Sequence, residues 1–170
     1  TLVKHFNGLL KPTAGKMFVE GKDTANLNTS DLARSVGYVF QNPDHQIFAE
    51  RVREEIAFGP KNLGFDEERI EETMKVVLKD VGLAGHEDTM PFKLSRGQRQ
   101  RLAVASVLAM EPSILILDEP TTGQDWTESI AVMELIKHLH EKGNTCIVIT
   151  HNMNLVSLYS DRMIVMANGE

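Results

Sequence analysis

The chain reads Leu94-Ser95-Arg96-Gly97-Gln98 and, one predicted helix later, Ile114-Leu115-Ile116-Leu117-Asp118-Glu119. A Ser-x-Gly-Gln turn at the start of a helix can direct backbone N–H groups and the positive helix end toward a phosphate. An apolar strand that ends in two carboxylates can hold a magnesium ion and prepare a water molecule beside that phosphate. The segment between the two has room for one helix, a turn and a strand. In this order, the two stretches predict chemistry on a nucleoside triphosphate.

The remaining sequence alternates between apolar strands and amphipathic helices. We predict strands at residues 17–20, 37–40, 114–117, 145–150 and 162–166, and helices at residues 1–10, 52–58, 66–81, 97–110, 127–142 and 153–159. Gly59-Pro60 and Gly64 are expected to break the chain around Asn62, after the second helix. Continuous apolar strands such as Cys146-Ile147-Val148-Ile149 are typical of a parallel sheet that is covered on both faces. The pattern therefore predicts an α/β fold, a parallel sheet flanked by helices, with an inserted helical subdomain at residues 48–110.

The composition is that of one globular domain, and it excludes several classes of function. The 170 residues are 42% hydrophobic and 25% charged, with a net charge of -6. An acidic chain does not supply the clustered Lys and Arg that a nucleic-acid-coating surface needs. The single cysteine, Cys146, cannot form an internal disulfide, and we interpret it as a core side chain in a reducing compartment. No run approaches the ~20 apolar residues of a membrane-spanning helix, so any membrane role is expected to be peripheral.

Four polar residues follow predicted strands, at the edge where open α/β sheets bind their ligands. Asp118 suits magnesium as a hard oxygen ligand, and Glu119 can orient an attacking water. Gln41 begins the loop after strand 37–40, and its amide can ligate magnesium or hold water. His151 follows strand 145–150 and can contact a γ-phosphate while it positions the water. Each also has a structural interpretation, because acidic pairs often mark the end of a strand and Gln or His often lies on a solvated surface.

Gly15-Lys16 imitates the end of a phosphate-binding P-loop. That motif needs a glycine five positions before Gly15 and a Ser or Thr directly after Lys16. The chain has Leu10 and Met17 at these positions. We therefore predict an ordinary turn at Gly15-Lys16.

Together, these residues resemble the motifs of the nucleotide-binding domain of ABC transporters. Residues 94–98 resemble the ABC signature, and residues 114–119 resemble the Walker B strand with Glu119 as its catalytic glutamate. Gln41 matches the Q-loop glutamine and His151 the switch histidine, while Gly123-Gln124-Asp125 stands where the D-loop lies. The resemblance covers essentially all of residues 1–170. It implies a P-loop NTPase-like fold, ATP and Mg²⁺ as cofactors, and ATP hydrolysis.

The resemblance also implies roles for individual residues. Asp118 and Gln41 would hold Mg²⁺, and Glu119, His151 and Gln41 would carry catalysis. The residues that would contact ATP are Thr1, Gln41, Ser95, Arg96, Gly97, Gln98, Asp125 and His151. Two such domains would sandwich two ATP molecules head to tail, with the signature turn of one subunit on the γ-phosphate held by the other. Arg96 stands where the family commonly has glycine.

Thr1 takes the position of the last residue of the Walker A motif in this resemblance. The glycines, lysine and serine of that motif would then lie before residue 1, and the sequence would stop before the C-terminal portion of such subunits. The chain also begins with Thr1 rather than Met, which suggests an excised or incomplete sequence, an ABC-type ATPase domain truncated at both ends.

Residues 39–48 and 54–64 are similar to the ATPase subunits of energy-coupling-factor importers, which take up cobalt or nickel ions, or vitamins. The implied partners are a second ATPase subunit, a transmembrane coupling subunit and a substrate-binding membrane subunit, with no nucleic acid. The implied location is peripheral, on the cytoplasmic face of the plasma membrane. Glu54, Glu55 and helix 66–81 would belong to the surface that contacts the coupling subunit. Two other interpretations stay open: a chromosome-maintenance or DNA-repair ATPase head, and a module that does not hydrolyse ATP.

Overall fold

A three-stranded parallel sheet organises the residues that this computed structural model describes, residues 2–167. The elements in chain order are β1 (Phe18–Val19), β2 (Lys22–Asp23), α1 (Thr29–Ala33), β3 (Val36–Val39), α2 (Val52–Asn62), α3 (Glu67–Asp80), α4 (Arg96–Leu108), β4 (Ile114–Asp118), α5 (Trp126–Glu141), β5 (Thr145–Ile149) and α6 (Met153–Tyr159). Strands β1 and β2 form a small antiparallel hairpin, and the parallel sheet has the order β3-β4-β5. The predicted α/β fold with a parallel sheet and flanking helices is confirmed.

The sheet is covered on both faces, because successive strand residues point to opposite sides. On one face, Leu115 and Leu117 pack into the larger core, which takes side chains from α2 to α6. On the other face, Ile116 packs with Val19 of the hairpin and Leu32 of α1. All five side chains are buried. The continuous apolar sequence of β4 follows from this burial on both sides.

Gly37 lets α4 approach β3 closely. A Cβ atom at this position would lie 2.3 Å from Cγ1 of Val107 and 3.0 Å from Cγ of Pro112. The first distance is shorter than real Cβ atoms show, so a larger residue here would force Val107 of α4 to move away from the strand.

Helices α2, α3 and α4 pack on one another in the stretch between β3 and β4. Ile56 and Met74 of this block belong to the same core as Leu117 of the sheet. The helices therefore share one hydrophobic core with the sheet, and the range 48–110 for a separate subdomain stays a prediction. Among residues 2–167, no helix combines the length and apolar character needed to span a bilayer.

The predicted helix at residues 1–10 is wrong for the described part of that range. Only Leu2–His5 form a helical turn, of the 3-10 type. The side chain of Asn7 accepts a hydrogen bond from the backbone N–H of Leu9 at 3.2 Å, and Gly8 takes a φ of 73°. Both features turn the chain away from a helix.

The helix predicted at residues 52–58 is too short, because α2 continues through Gly59 and Pro60 to Asn62, and the chain breaks there at Leu63 and Gly64. Proline costs a helix one N–H donor and crowds the preceding turn. Here Pro60 is buried, and its carbonyl accepts hydrogen bonds from the N–H groups of Leu63 and Phe65 at 3.1 and 3.0 Å. This capping lets the helix end one turn later than the sequence predicts.

The strand predicted at residues 162–166 is absent from the described structure. An apolar run becomes a strand only when a neighbouring strand takes its hydrogen bonds. No strand within residues 2–167 pairs with this segment. Its apolar side chains are 51–74% exposed, namely those of Met163, Ile164, Val165 and Met166.

Candidate active site

Asp118 and Glu119 lie at the carboxyl end of β4, as the sequence predicts. Asp118 is the last strand residue, and the backbone N–H of Glu119 donates to the carbonyl of Ile149 in β5 at 2.9 Å. Glu119 has a φ of 45°, in the left-handed region that non-glycine residues rarely adopt. Such strain costs about 1–3 kcal/mol and is found mainly at functional sites. It turns the Glu119 side chain from the sheet toward the loops around it.

Three side chains surround the Glu119 carboxylate, which is 29% exposed. Gln41 Nε2 donates to Oε2 at 2.8 Å, and Thr122 Oγ1 donates to the same oxygen at 2.9 Å. His151 Nδ1 lies 3.5 Å from Oε1. Three of the predicted residues, Gln41, Glu119 and His151, are therefore in direct contact although they come from three separate loops.

Asp118 has a different partner. The Tyr38 hydroxyl on β3 donates to Asp118 Oδ2 at 2.6 Å. Burial of the phenol and this hydrogen bond to a carboxylate both raise the pKa of Tyr38 well above its usual value. Tyr38 therefore stays a donor at every physiological pH. The bond engages Oδ2 and leaves Oδ1 of Asp118 for a metal or a water.

Two side-chain oxygens at this edge are of the type that magnesium binds. The residues in question are Asp118, with its Oδ1, and Gln41, whose amide oxygen remains after Nε2 binds Glu119. Within residues 2–167, no cluster of three or more His, Cys, Asp or Glu side chains could hold a metal by itself. Mg²⁺ normally takes one or two carboxylates and fills its octahedron with waters and phosphate oxygens.

The Ser95–Gln98 turn begins α4 and is held by its own side chains. Gln98 N–H donates to Ser95 Oγ at 3.2 Å, and Ser95 N–H donates to Gln98 Oε1 at 2.9 Å. This reciprocal pair is a capping box. It leaves the N–H groups of Arg96 and Gly97, in the first turn, without an acceptor inside the helix. Arg96 is exposed at this end of the helix, whereas Gly97 is buried against α5.

The Ser95–Gln98 turn is connected to the Glu119 cluster only indirectly, through the loops that follow Gln41 and Glu119. Arg99 Nε donates to Asp44 Oδ1 at 2.7 Å, which connects α4 to the loop after Gln41. Arg96 Nη2 donates to the carbonyl of Thr122 at 3.1 Å, in the loop after Glu119. No hydrogen bond among the described residues joins Ser95, Gly97 or Gln98 directly to Gln41, Glu119 or His151.

Asp125 and the Gly15-Lys16 turn lie outside the contacts described above. Asp125 is the N-cap of α5, where its Oδ1 accepts from the N–H of Glu128 at 2.8 Å. Gly15 has a φ of 79° in an exposed turn with Lys16, as predicted. Thr1 lies outside the described residues.

A surface groove of about 430 Å³ lies at the opposite edge of the sheet. It runs between α3 and the ends of α4 and α5, and it includes Pro112 and Asn144, which precede β4 and β5. The residues around Glu119 instead form an open surface, and the His151 side chain is 79% exposed. The residues around Glu119 therefore form an exposed surface that a ligand or a second protein can contact directly.

Sequence reasoning missed two contacts of this site. Tyr38 faces Asp118 because the register places Tyr38 opposite Ile116, two residues before Asp118 on the same face. This register is a long-range property that no local pattern reveals. Thr122 follows Glu119 by three residues in a turn closed by its own N–H, at 3.1 Å from the Glu119 carbonyl. The spacing of Thr122, three residues after Glu119 at the end of a strand, could have indicated this contact from the sequence.

Three curated relatives align with the whole chain. A protein of Caldanaerobacter subterraneus, provisionally described as an ABC transporter ATP-binding protein, is 54% identical over 100% of this chain and 30% of its own length. A Pyrococcus furiosus protein with the same provisional description is 50% identical over 100% of this chain and 65% of its own length. The energy-coupling factor transporter ATP-binding protein EcfA of Methanocaldococcus jannaschii is 45% identical over 100% of this chain and 62% of its length. The chain thus spans less than two thirds of each relative.

Two solved structures have the same fold. The cbiO1 protein from Clostridium perfringens, described as part of the ABC transporter complex cbiONQ, has a TM-score of 0.87 at 37% identity, covering 94% of this chain and 65% of that one. The ATP-binding cassette MJ0796, a dimer in a post-hydrolysis state with ADP and Pi, has a TM-score of 0.76 at 28% identity, covering 91% and 70%. The family model described as ABC transporter matches residues 1–122. This chain therefore belongs to the ABC transporter family, as an ATP-binding domain.

Proposed function

We propose that this chain is the ATP-hydrolysing part of a subunit of an energy-coupling-factor importer. The observation that carries the ATPase part is the contact of Glu119 with Gln41 and His151 beside the Asp118 carboxylate. The three loops that bring these side chains together follow β3, β4 and β5, at the edge where parallel sheets bind ligands.

In this proposal, Glu119 accepts a proton from the attacking water. The hydrogen bonds from Gln41 and Thr122 to Oε2 fix the carboxylate plane, and they leave Oε1 directed toward His151. A water would bind at Oε1, beside His151, and would be held there in line for a γ-phosphate. Asp118 and the Gln41 amide oxygen would hold Mg²⁺, which neutralises charge on the phosphates when bound.

The opposite side of the nucleotide is proposed to come from a second ATPase subunit. The start of α4, whose first-turn N–H groups lack acceptors within the helix, would supply an anion site that no hydrogen bond of the same chain joins to Glu119. An open face around Glu119 and a separate anion-binding turn fit a head-to-tail dimer. The dimeric state of the related cassette MJ0796 supports this arrangement.

The importer part of the proposal rests on the relatives and on one exposed apolar surface. EcfA and cbiO1 are named for energy-coupling and cbiONQ complexes, respectively.

Phe48 and Phe58 are 60% and 51% exposed and pack edge to face, with ring centroids 4.7 Å apart. Glu55, which the family resemblance places on the surface toward the coupling subunit, is instead buried and accepts the N–H groups of Phe48 and Ala49 at 3.0 and 2.9 Å. A rigid aromatic pair at the surface is typical of a protein contact site.

We propose that Phe48 and Phe58 contact a transmembrane coupling subunit, and that the complex imports cobalt or nickel ions, or vitamins. A third, membrane-embedded subunit would bind the substrate. The ATPase would then lie peripherally on the cytoplasmic face of the membrane.

Co-purification tests this assignment. The full-length protein, tagged and expressed in its own cells, should co-purify with a polytopic membrane protein, and Phe48→Ser with Phe58→Ser should reduce the yield by about tenfold. Leu158→Ser, at another exposed apolar residue, is the control and should have no effect. ATPase activity that DNA stimulates, without any membrane partner, would favour the chromosome-maintenance head and reject the importer.

A further inference from the structure

Arg96 reaches from the first turn of α4 to the loop that precedes α5. Its Nη2 donates to the Thr122 carbonyl at 3.1 Å. Both terminal nitrogens also lie 2.8 Å from the point where a Cβ atom on Gly123 would stand. The guanidinium therefore lies against the bare backbone of Gly123 and is oriented within its own chain, although the sequence predicts that Arg96 contacts ATP.

The fit depends on residue type at both ends. Gly123 has a φ of 73°, and a methyl group there would collide with the guanidinium. A planar guanidinium can lie flat on a peptide and donate in its own plane, which a lysine ammonium cannot do. A second close approach lies beside the first, where a Cβ on Gly97 would stand 3.3 Å from Glu128 Oε1 of α5. The starts of α4 and α5 thus meet at two adjacent points.

The loop that Arg96 contacts is the one that orients Glu119. Thr122 offers its carbonyl to Arg96, while its hydroxyl and N–H bind the side chain and carbonyl of Glu119. Thr122 is therefore hydrogen-bonded to both Arg96 and Glu119, so that a displacement of the Arg96 side chain can alter the position of Glu119.

We propose that Arg96 is a positioning residue that clamps the Ser95–Gln98 turn to residues 121–125 of the same chain. The effect of this clamp on dimerisation rests on the proposed function, in which both loops contact the second ATPase subunit. Arg96 would hold the two loops in a fixed relative position for that contact. Preorganised loops bind a partner more tightly because less freedom is lost on association. The Arg96 side chain acts through Thr122 and Gly123, and any contact of this turn with the nucleotide is left to its backbone.

The test compares Arg96→Ala, Arg96→Lys and Gly123→Ala in the full-length protein. Arg34→Ala is a matched control, because its exposed guanidinium also donates to a carbonyl, that of Leu63 at 3.0 Å, away from the site. Gly64→Ala is the control for backbone strain, because Gly64 has a φ of 81° and no atom within 4 Å of an added Cβ.

Hydrogen exchange without nucleotide measures the clamp directly. We expect the amides of residues 121–125 to exchange about 2- to 10-fold faster in Arg96→Ala and Gly123→Ala, with partial recovery in Arg96→Lys. In a Glu119→Gln background, ATP-driven dimerisation should weaken about 5- to 10-fold in the same two variants. Binding of ATP to the monomer should stay within about twofold of the parent protein.

Three results would overturn the clamp. Weaker dimerisation in Arg96→Ala with unchanged exchange and a neutral Gly123→Ala would mean that Arg96 contacts the nucleotide itself. No change in either variant would mean that the contact positions nothing. Equal effects in the Arg34→Ala and Gly64→Ala controls would mean a general loss of stability. If no variant dimerises with ATP, the proposed function fails, while the exchange measurement still decides the clamp.

Discussion

Glu119 is fixed from the backbone and from its side chain at once. Its left-handed φ of 45° is held by the hydrogen bond from its N–H to Ile149, and its Oε2 receives two donors. A carboxylate with one oxygen bound in this way can turn only its other oxygen toward a water. The strain at this residue is offset by the sheet and by the turn that Thr122 closes.

At the same scale, we expect Tyr38→Phe to weaken the metal site without unfolding the protein. The variant loses one hydrogen bond to Asp118, which frees the carboxylate to rotate. The Mg²⁺ concentration that half-saturates ATP turnover in the full-length protein should rise about 3- to 10-fold. Tyr159→Phe removes an equivalent bond, to Glu134 at 2.6 Å, and is the control. An unchanged Mg²⁺ requirement in Tyr38→Phe would show that the bond does not orient Asp118.

Single residues at strand ends could be predicted from sequence, whereas their partners could not. Gln41, Asp118 and His151 each follow an apolar run, so their common edge could be inferred from a parallel sheet alone. Tyr38 contacts Asp118 only through the pairing of β3 with β4, whose partner residues, such as Tyr38 and Ile116, are 78 positions apart. The in-chain contact of Arg96 depends likewise on how α4 and α5 meet.

Elements with strong periodicity were predictable, and those decided by tertiary contacts were not. The sequence predicts α3 closely because its apolar face recurs at helical spacing and Asp66 caps its start. It fails at Pro60, where burial and two backbone acceptor bonds keep the helix intact. It also fails at residues 162–166, because strand formation needs a neighbour that the described residues do not supply.

The hairpin and the parallel sheet are joined through Glu20, and this junction should respond to pH. The hydroxyls of Ser113 and Ser35, which precede β4 and β3, donate to its carboxylate and lower the pKa of Glu20. A carboxyl with a lowered folded pKa stabilises the fold above its unfolded pKa of about 4.3, and this contribution is lost as pH falls toward the folded pKa.

Glu20→Gln should therefore reduce the free energy of unfolding at neutral pH, and the difference from the parent protein should shrink below about pH 4. Urea unfolding at several pH values measures it. Glu71→Gln, at an exposed carboxylate of α3, should leave the pH dependence unchanged. A difference that stays constant between about pH 6 and pH 3 would refute this role for Glu20.

At the scale of the whole molecule, the described chain presents one half of a proposed composite site. The Glu119 cluster and the Ser95–Gln98 turn are joined through Arg96 and Thr122, and the groove of about 430 Å³ lies at neither of them. The chain spans 30–65% of the relatives EcfA, the Pyrococcus furiosus protein and the Caldanaerobacter subterraneus protein. Activity therefore has to be measured on the full-length protein.

The most direct test is ATP turnover by the full-length protein with Glu119→Gln. The amide keeps the shape of the side chain and removes the proton acceptor, so turnover should fall by about 10²- to 10⁴-fold while ATP still binds and holds a stable dimer. Glu71→Gln, which removes one exposed negative charge far from the site, should behave as the parent protein. Turnover of Glu119→Gln close to that of the parent protein would contradict the proposal that Glu119 accepts the proton of the attacking water.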